Sequence, residues 1–281
     1  MPSIHPTAVV SPRAELADDV EVGAFSLVGD GVRIGPGTRL KSHVSITGDT
    51  TIGARNVFFP FASIGAEPQD MSFRGEPSRT EIGDDNTFRE SVTVSRGTAK
   101  DRLLTRIGSR NLVMACCHIA HDCELEDEII MANNVLLGGH VRVEERVTFG
   151  GASVVHHFAT IGRYAFVGGM TRIVRDVPPF MTIEGIPPKV WMVNKIGCER
   201  RGMAPAALAQ LKEAHRLLFR TDVLWEDAFE ELTAREDCAA EVRYLVEFCR
   251  KMSDGVKGRA KEKLRASGHG HGHGHDGDDE D

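Results

Sequence analysis

Histidines concentrate in one part of this chain, and histidine is the side chain best suited to moving protons near neutral pH. Five of them fall within forty positions: His118, His121, His140, His156 and His157. His121 is followed directly by Asp122, and Gly139 directly precedes His140. A histidine beside a carboxylate can act as an oriented general base, and a glycine backbone N–H can stabilise an oxyanion. Together these residues would supply a base, an orienting group and an oxyanion donor.

Two other interpretations of the histidines stay open at this point. They could decorate a flat face without a chemical role. Alternatively, His118, His121 and His140 could be neutral imidazole ligands of a metal shared across a subunit boundary. No fixed ligand spacing supports that metal site, and we expect neither a metal nor a cofactor.

The elements that must position these residues are indicated by an apolar residue at every sixth position. The first series is Ile4, Val10, Leu16, Val22, Val28, Ile34, Leu40, Ile46, Ile52, Phe58 and Ile64. The second series is Ile107, Val113, Ile119, Leu125, Met131, Leu137, Val143, Phe149, Val155, Ile161, Val167 and Ile173. This period fits neither a helix nor a simple strand and is typical of a hexapeptide parallel β-helix. Three hexapeptides make one turn, so Gly139 should lie one coil from His121, at a strand spacing of roughly 4.8 Å.

The repeat is interrupted twice and then gives way to a helical pattern. We predict a β-helix domain over residues 1–190, with loops at 66–80 and 96–106. A helical domain follows at 191–252, with residues 180–203 read as an irregular link and three helices beginning at Pro205, Leu224 and Cys238. Residues 253–281 are His/Gly-rich and then acidic, which predicts a disordered tail. Its alternating His269, His271, His273 and His275 could bind Ni²⁺ or Zn²⁺ loosely, although a solubilising tail is an equal alternative.

The composition of the chain limits which binding partners and which cellular compartment we expect. The formal net charge is −7, and five of the acidic residues lie in the last six positions, so nucleic-acid binding by bulk charge is not expected. The six cysteines show neither a paired framework nor metal spacing, which fits a reducing cytosol. The first residues lack a basic and apolar leader, and no stretch approaches the ~20 apolar residues of a membrane span. We therefore expect a cytoplasmic protein without membrane insertion.

Ten short stretches carry a specific resemblance. They are HPTAVV (5–10), LKSHV (40–44), FASIG (61–65), GEPSRTEIGD (75–84), RESVTVSRGT (89–98), HIAHDC (118–123), ANNVLLGGHV (132–141), VGG (167–169), DVPP (176–179) and RRGM (200–203). Over residues 4–252 the chain resembles the bacterial UDP-N-acetylglucosamine O-acyltransferases of lipid A biosynthesis. The resemblance implies a left-handed β-helix, a homotrimer with sites between subunits, an acyl-carrier-protein thioester as donor and a UDP-sugar as acceptor.

The resemblance also implies a role for individual residues. His121 corresponds to the family's general base, Asp122 to its orienting group and Gly139 to its oxyanion donor. Residues near the nucleotide sugar and the acyl chain correspond to Gln69, Asp70, His118, His140, His156, Asn194 and Arg200. Gly169 corresponds to a glycine that borders the acyl groove.

Four positions depart from the family pattern, and they leave alternatives open. Ser72 stands where a lysine is common, Ser95 where a histidine is common, His157 where a glutamine is usual, and Ile196 where an acidic residue is usual. The acceptor could therefore be a 3-amino UDP-sugar, which would give an amide, or another nucleotide sugar. Alternatives of another class are a hexapeptide-repeat zinc enzyme and a non-catalytic trimeric scaffold.

Overall fold

The computed structural model describes residues 1–255 and contains short strands followed by helices. The strands are β1 (Ser3–Ile4), β2 (Val9–Val10), β3 (Glu15–Leu16), β4 (Glu21–Val22), β5 (Leu27–Val28), β6 (Arg33–Ile34), β7 (Arg39–Leu40), β8 (Ser45–Ile46), β9 (Asp49–Ile52), β10 (Val57–Phe58), β11 (Ser63–Ala66), β12 (Arg79–Ile82), β13 (Thr87–Phe88), β14 (Thr93–Ser95), β15 (Leu104–Ile107), β16 (Leu112–Val113), β17 (His118–Ile119), β18 (Glu124–Leu125), β19 (Ile130–Met131), β20 (Leu136–Leu137), β21 (Arg142–Val143), β22 (Thr148–Phe149), β23 (Val154–Val155), β24 (Thr160–Ile161), β25 (Phe166–Val167), β26 (Arg172–Ile173), β27 (Met181–Glu184) and β28 (Lys189–Val193). The helices are α1 (Lys195–Arg200), α2 (Pro205–Phe219), α3 (Trp225–Thr233) and α4 (Ala240–Ser253).

Every third strand joins the same sheet, so the chain winds around three flat faces. Sheet A runs from β1 through β4 and β7 to β25, β27 and β28; sheet B runs from β2 through β5 to β26; sheet C runs from β3 through β6 to β24. All neighbours are parallel except β27 and β28, which form an antiparallel hairpin. The second residue of nearly every two-residue strand is buried, and these side chains form one continuous apolar column inside the coils.

The strand register follows the predicted coil length wherever no loop intervenes. Ile4 pairs with Val22, and Ile119 pairs with Leu137, as a coil of three hexapeptides requires. Phe58 pairs with Phe88 instead, because the segment between β11 and β12 is extruded from the coil. The segment between β14 and β15 is extruded in the same way, and Val94 pairs with Ile119. Both loops lie where the sequence pattern breaks.

Beyond the first coil, most turns between sheets place one residue in the left-handed backbone region. At the corner from sheet B to sheet C, here called the B–C corner, these residues are Gly31, Gly48, Leu103, Asp122, His140 and Phe158. Most side chains avoid this conformation because Cβ approaches the backbone, whereas glycine adopts it freely. The corner therefore stacks one side chain from each later coil in a column.

The helical part packs as a second apolar core. The helix predicted to begin at Pro205 is confirmed, and the other two predicted helices appear as α3 and α4. The predicted irregular link over 180–203 is wrong, since this segment contains the β27–β28 hairpin and the short helix α1. Six residues are too few for a helical period to show in the sequence, and α1 is set instead by Asn194, whose side chain accepts a hydrogen bond from the Gly197 N–H.

The ends of the predicted domains stay predictions, and most of the predicted tail, residues 256–281, lies outside the described residues. Across residues 1–255, no helix combines the length and the apolar character needed to cross a bilayer.

Candidate active site

Asp122 is the most firmly held side chain at the B–C corner. It is buried, with its backbone in the left-handed region at φ 59°. Its carboxylate accepts hydrogen bonds from the Thr98 N–H at 2.9 Å and from Thr98 Oγ1 at 2.5 Å. Its own N–H donates to Thr105 Oγ1 at 2.8 Å. A carboxylate fixed by two donors, on a backbone that is itself hydrogen-bonded, can orient a neighbour without moving itself.

His121 lies against this carboxylate with one ring nitrogen and faces the surface with the other. Nδ1 is 2.9 Å from Asp122 Oδ2, and Nε2 is 3.7 Å from Asp70 Oδ2. The charge on Asp122 favours the tautomer that carries its proton on Nδ1, which leaves the Nε2 lone pair as the proton acceptor. The side chain is 14% exposed, so a substrate hydroxyl can reach it. This is the geometry of a general base with an orienting carboxylate.

Gly139 lies one coil further along and directly beneath the His121 ring. A Cβ atom built on Gly139 would stand 2.5 Å from His121 Cε1, closer than real side-chain contacts allow. The N–H groups on either side, those of Gly138 and His140, donate to Val155 and His121 carbonyls. Within residues 1–255, the Gly139 N–H makes no hydrogen bond to a protein acceptor. It is therefore available to an oxyanion beside the base.

His140 follows Gly139 and packs into the same column. Its ring stacks on Phe158 with centroids 4.5 Å apart and meets the His121 ring edge-on at 5.1 Å. Its Nδ1 donates to Asp101 Oδ2 at 3.3 Å, and this hydrogen bond lowers the pKa of Asp101 below its usual range. Its Nε2 is 3.7 Å from Asp122 Oδ2. His140 thus shares a carboxylate with the proposed base.

Asp70 reaches the site from the first loop and brings a cation with it. Its carboxylate accepts hydrogen bonds from Lys100 Nζ at 2.7 and 2.9 Å and from the Ser72 N–H and hydroxyl. Burial alone would raise the pKa of Asp70, but the bonds from Lys100 and Ser72 lower it well below its usual range. Ser72 stands where the family pattern has a lysine, and the structure places Lys100 from the second loop on the same aspartate. Lys100 thus brings a cation to Asp70 from a different segment of the chain.

His118 lies near His121 but outside the group of close ligand atoms. Its Nδ1 is 2.7 Å from Thr93 Oγ1, and burial, followed by the proximity of His121, lowers its pKa. The group whose ligand atoms approach within 4.8 Å of one another consists of His121, Asp122 and His140. The alternative ligand set of His118, His121 and His140 is therefore not the one that the fold brings together, because His118 points outward on β17 while Asp122 turns into the corner.

The remaining predicted substrate residues are spread along the surface. Gln69 and Gly169 are exposed, and His156 packs against His157 with ring centroids 3.8 Å apart. Asn194 caps α1 and donates to the Tyr164 carbonyl at 2.8 Å, and Arg200 is exposed at the end of α1. Among the described residues of this single chain, none of these five hydrogen-bonds to the His121–Asp122 pair.

Four residues of the site escaped the sequence analysis: Thr98, Lys100, Asp101 and Thr105. All four lie in the second loop or at its end, where the six-residue count breaks. A weak signal existed for Thr105, which precedes Asp122 by 17 positions, close to one coil length. For Thr98, Lys100 and Asp101, sequence distance does not predict spatial neighbours, because the loop does not follow the six-residue repeat.

A β-helix that places a His–Asp pair beside a glycine N–H has the arrangement of a hexapeptide-repeat acyltransferase. A relative from Syntrophobacter fumaroxidans, named acyl-[acyl-carrier-protein]–UDP-N-acetylglucosamine O-acyltransferase, is 46% identical over 90% of this chain and 98% of its own length. One of the same name from Synechocystis is 47% identical over 82% of this chain and 83% of its own length. A family profile described as UDP N-acetylglucosamine O-acyltransferase, domain 2, matches residues 176–257. This chain belongs to the family of acyl-[acyl-carrier-protein]–UDP-N-acetylglucosamine O-acyltransferases.

Solved structures support the same assignment. The UDP-N-acetylglucosamine O-acyltransferase of Moraxella catarrhalis superposes with a TM-score of 0.85 at 41% identity, covering 88% of this chain and 96% of the other. The Acinetobacter baumannii LpxA structure gives a TM-score of 0.84 at 38% identity with the same coverage. The predicted fold, a left-handed parallel β-helix followed by a small helical region, is confirmed, and so is the family resemblance.

Proposed function

We propose that this protein transfers an acyl chain from an acyl-carrier protein to the 3-hydroxyl of UDP-N-acetylglucosamine, the first step of lipid A biosynthesis. The observation that carries the proposal is the His121–Asp122 pair with the Gly139 N–H beside it, on the fold of a family named for this reaction. The zinc-enzyme and scaffold alternatives gain no support from the relatives, whose names describe acyl transfer.

The reaction follows from the positions of these groups. His121 Nε2 removes the proton from the sugar 3-hydroxyl as the oxygen attacks the thioester carbonyl. The Gly139 N–H donates to the tetrahedral oxyanion, which lowers the barrier because the donor is already in place. The intermediate collapses, the C–S bond breaks, and the imidazolium returns its proton to the leaving thiolate. Asp122 stabilises the imidazolium between these steps.

Substrate binding is assigned to the residues that the family pattern marks around the base. Asp70, His118 and His140 surround His121 in this chain, and Gln69 neighbours Asp70. His156, Asn194 and Arg200 would bind nucleotide or acyl groups together with a second subunit. Gly169 is exposed, and a Cβ atom there would meet only the Gly151 backbone, which leaves space for a long acyl chain.

A homotrimer with sites between subunits is part of the proposal. Sheet B carries His118 on its outer face, and the same face exposes Val9, Leu27 and Leu136. Large apolar side chains on a flat sheet are typical of a surface that another subunit covers. Contact through sheet B would bring a second chain to the His118 side of the site.

The acyl-carrier protein is assigned to a basic region after the last coil. Its residues are Lys189, Lys195, Arg200, Arg201, Arg216 and Arg220. Arg201 pairs with Glu128, and Arg220 donates to the Trp191 carbonyl, so these two are partly engaged within the chain. Lys195 likewise pairs with Glu199 at 3.5 Å. The cations of this region can together attract the acidic surface typical of carrier proteins.

Mass spectrometry of products tests the proposal. The protein is mixed with a panel of acyl-carrier proteins of different chain length and with either UDP-N-acetylglucosamine or its 3-amino analogue. We expect an O-acyl ester from the natural sugar, with one preferred chain length. Amide from the analogue together with no ester would overturn the assignment of the acceptor.

A further inference from the structure

The B–C corner brings two imidazoles and a carboxylate together in a metal-binding arrangement. Asp122 Oδ2 is 2.9 Å from His121 Nδ1 and 3.7 Å from His140 Nε2, and one ligand atom from each of the three residues lies within 4.8 Å of the others. Tetrahedral zinc, with bonds of about 2.0–2.2 Å, places its ligand atoms about 3.3–3.6 Å apart. Small rotations of the two rings would bring the three atoms to that spacing.

The surroundings of both histidines match those of metal ligands. His140 Nδ1 donates to Asp101, and His121 Nε2 faces Asp70. A carboxylate on the far nitrogen of a histidine fixes the ring and strengthens the nitrogen that binds the metal. Asp122 is held in turn by Thr98. The side chains of Asp122 and His140 are 1% and 4% exposed, so little reorganisation or desolvation accompanies binding.

We propose that His121, Asp122 and His140 form an inhibitory site for a divalent transition-metal ion of the zinc type. Two nitrogen donors and one carboxylate suit Zn²⁺, Co²⁺ or Ni²⁺, whereas Mg²⁺ and Ca²⁺ require more oxygen ligands. Solvent supplies the fourth ligand. The ion is not a cofactor of the transfer reaction, because it takes the groups that the reaction uses.

Inhibition follows from the position of the imidazole proton. The transfer reaction needs that proton on Nδ1, bonded to Asp122, and a lone pair on Nε2. An ion on Nδ1 displaces the proton, and the neutral ring carries it on Nε2, where it points toward Asp70. His121 then has no lone pair with which to accept the hydroxyl proton. The ion also removes Asp122 from its orienting role. This consequence rests on the proposed function, whereas binding of the ion does not.

Isothermal titration calorimetry with ZnCl₂ measures the binding. All proteins are full-length and carry His269→Ser, His271→Ser, His273→Ser, His275→Ser and Cys116→Ser, which removes the tail imidazoles and an exposed thiol. We expect one ion per chain in this background. His140→Asn should abolish binding, and Asp101→Asn should weaken it about 10–100-fold by freeing the His140 ring. His118→Asn is the matched control and should bind as the background does, because His118 is bonded to Thr93.

Transfer rates measured with the same proteins test inhibition. At a free Zn²⁺ concentration ten times the dissociation constant, about one tenth of the rate should remain, and a chelator should restore it. MgCl₂ at the same concentration should have no effect. Absence of zinc binding in the background protein would overturn the proposal. So would His140→Asn and Asp101→Asn variants that bind zinc as tightly as the background protein does. Full activity with the ion bound would overturn the inhibitory role. If the protein catalyses a different reaction, the calorimetric result still decides the site.

Discussion

The B–C corner of the β-helix contains glycine in the early coils and the side chains of the candidate active site in the later coils. Gly31 and Gly48 have φ values of 74° and 66°, and Asp122 and His140 have 59° and 62°. The backbone is therefore the same, although a non-glycine residue in this conformation costs about 1–2 kcal/mol. Residues of many types adopt it at the other corners too, so backbone strain does not mark the site. The first difference lies in which side chains the corner stacks.

The neighbourhoods of the two regions differ as well. In the early coils the charges form exposed pairs such as Arg33 with Asp49, with half-exposed side chains that contribute little to stability. In the later coils Asp122 is buried and bonded to Thr98 and Thr105. A carboxylate held in this way keeps a fixed position beside the His121 ring. The following predictions test that contrast, in order of decreasing expected effect.

Removing the base should have the largest effect. His121→Ala should lower kcat about 10²–10⁴-fold, since general-base catalysis contributes this much. His43→Ala, on an exposed corner of the early coils, should leave kcat unchanged. Steady-state kinetics and size-exclusion chromatography measure both variants. Near-normal turnover by His121→Ala would show that another group is the base.

Crowding the base should also inactivate the enzyme. Gly139→Ala places a Cβ atom 2.5 Å from His121 Cε1, so the ring must move away from Asp122 or from the substrate. We expect kcat to fall about 10–100-fold, since small displacements of reacting groups are costly. Gly29→Ala is the control from the early coils, because its Cβ atom would meet neighbours only at 3.4 Å or more. Equal activities of the two variants would mean that the His121 ring moves without loss.

The acyl preference should depend on Gly169. Gly169→Met should shift preference toward shorter acyl donors, because the new side chain occupies the proposed groove. The ratio of kcat/KM for short and long donors should change by about tenfold or more. The rate with the shortest donor serves as an internal control for folding. An unchanged donor profile would place the end of the groove elsewhere.

The aspartate of the first loop should depend on Lys100. Lys100→Met removes the ammonium group that lowers the pKa of Asp70 against the effect of burial, so this pKa rises although the Ser72 hydrogen bonds remain. Asp70 would be protonated at a higher pH than before, so the acidic limb of the kcat/KM profile should move to higher pH. Lys251→Met, which breaks an exposed helix pair with Glu247, should leave the profile in place. If the acidic limb lies at the same pH in both variants, Lys100 does not influence the pH dependence of the reaction.

Carrier docking should respond modestly to charge. Charge reversal at Arg216 and Arg220 should raise the KM for the acyl-carrier protein and leave the KM for the UDP-sugar unchanged. Added salt should raise the first KM as well, since screening acts within ~8–10 Å at physiological ionic strength. Arg39→Glu with Lys41→Glu, in the early coils, is the control. If neither added salt nor charge reversal changes the KM for the acyl-carrier protein, this basic region is not its docking site.

The sequence by itself determined the β-helix and the core of the site. An apolar residue at every sixth position requires three faces per coil, and the adjacency of His121 and Asp122 needs no long-range information. Counting coils also placed Gly139 beside His121, because an uninterrupted repeat converts sequence distance into spatial distance.

Only the tertiary structure decided what surrounds that core. Thr98, Lys100 and Asp101 lie in a loop whose residues leave the coil, so no period relates them to Asp122, Asp70 or His140. The same limit hid the ion pair between Lys100 and Asp70, which joins two different loops. The fold groups Asp122, rather than His118, with His121 and His140 for a related reason. Whether a side chain points outward from a strand or into a corner depends on backbone conformation. Repeats place side chains by counting, whereas loops and corners place them by contacts that form only when the chain is folded.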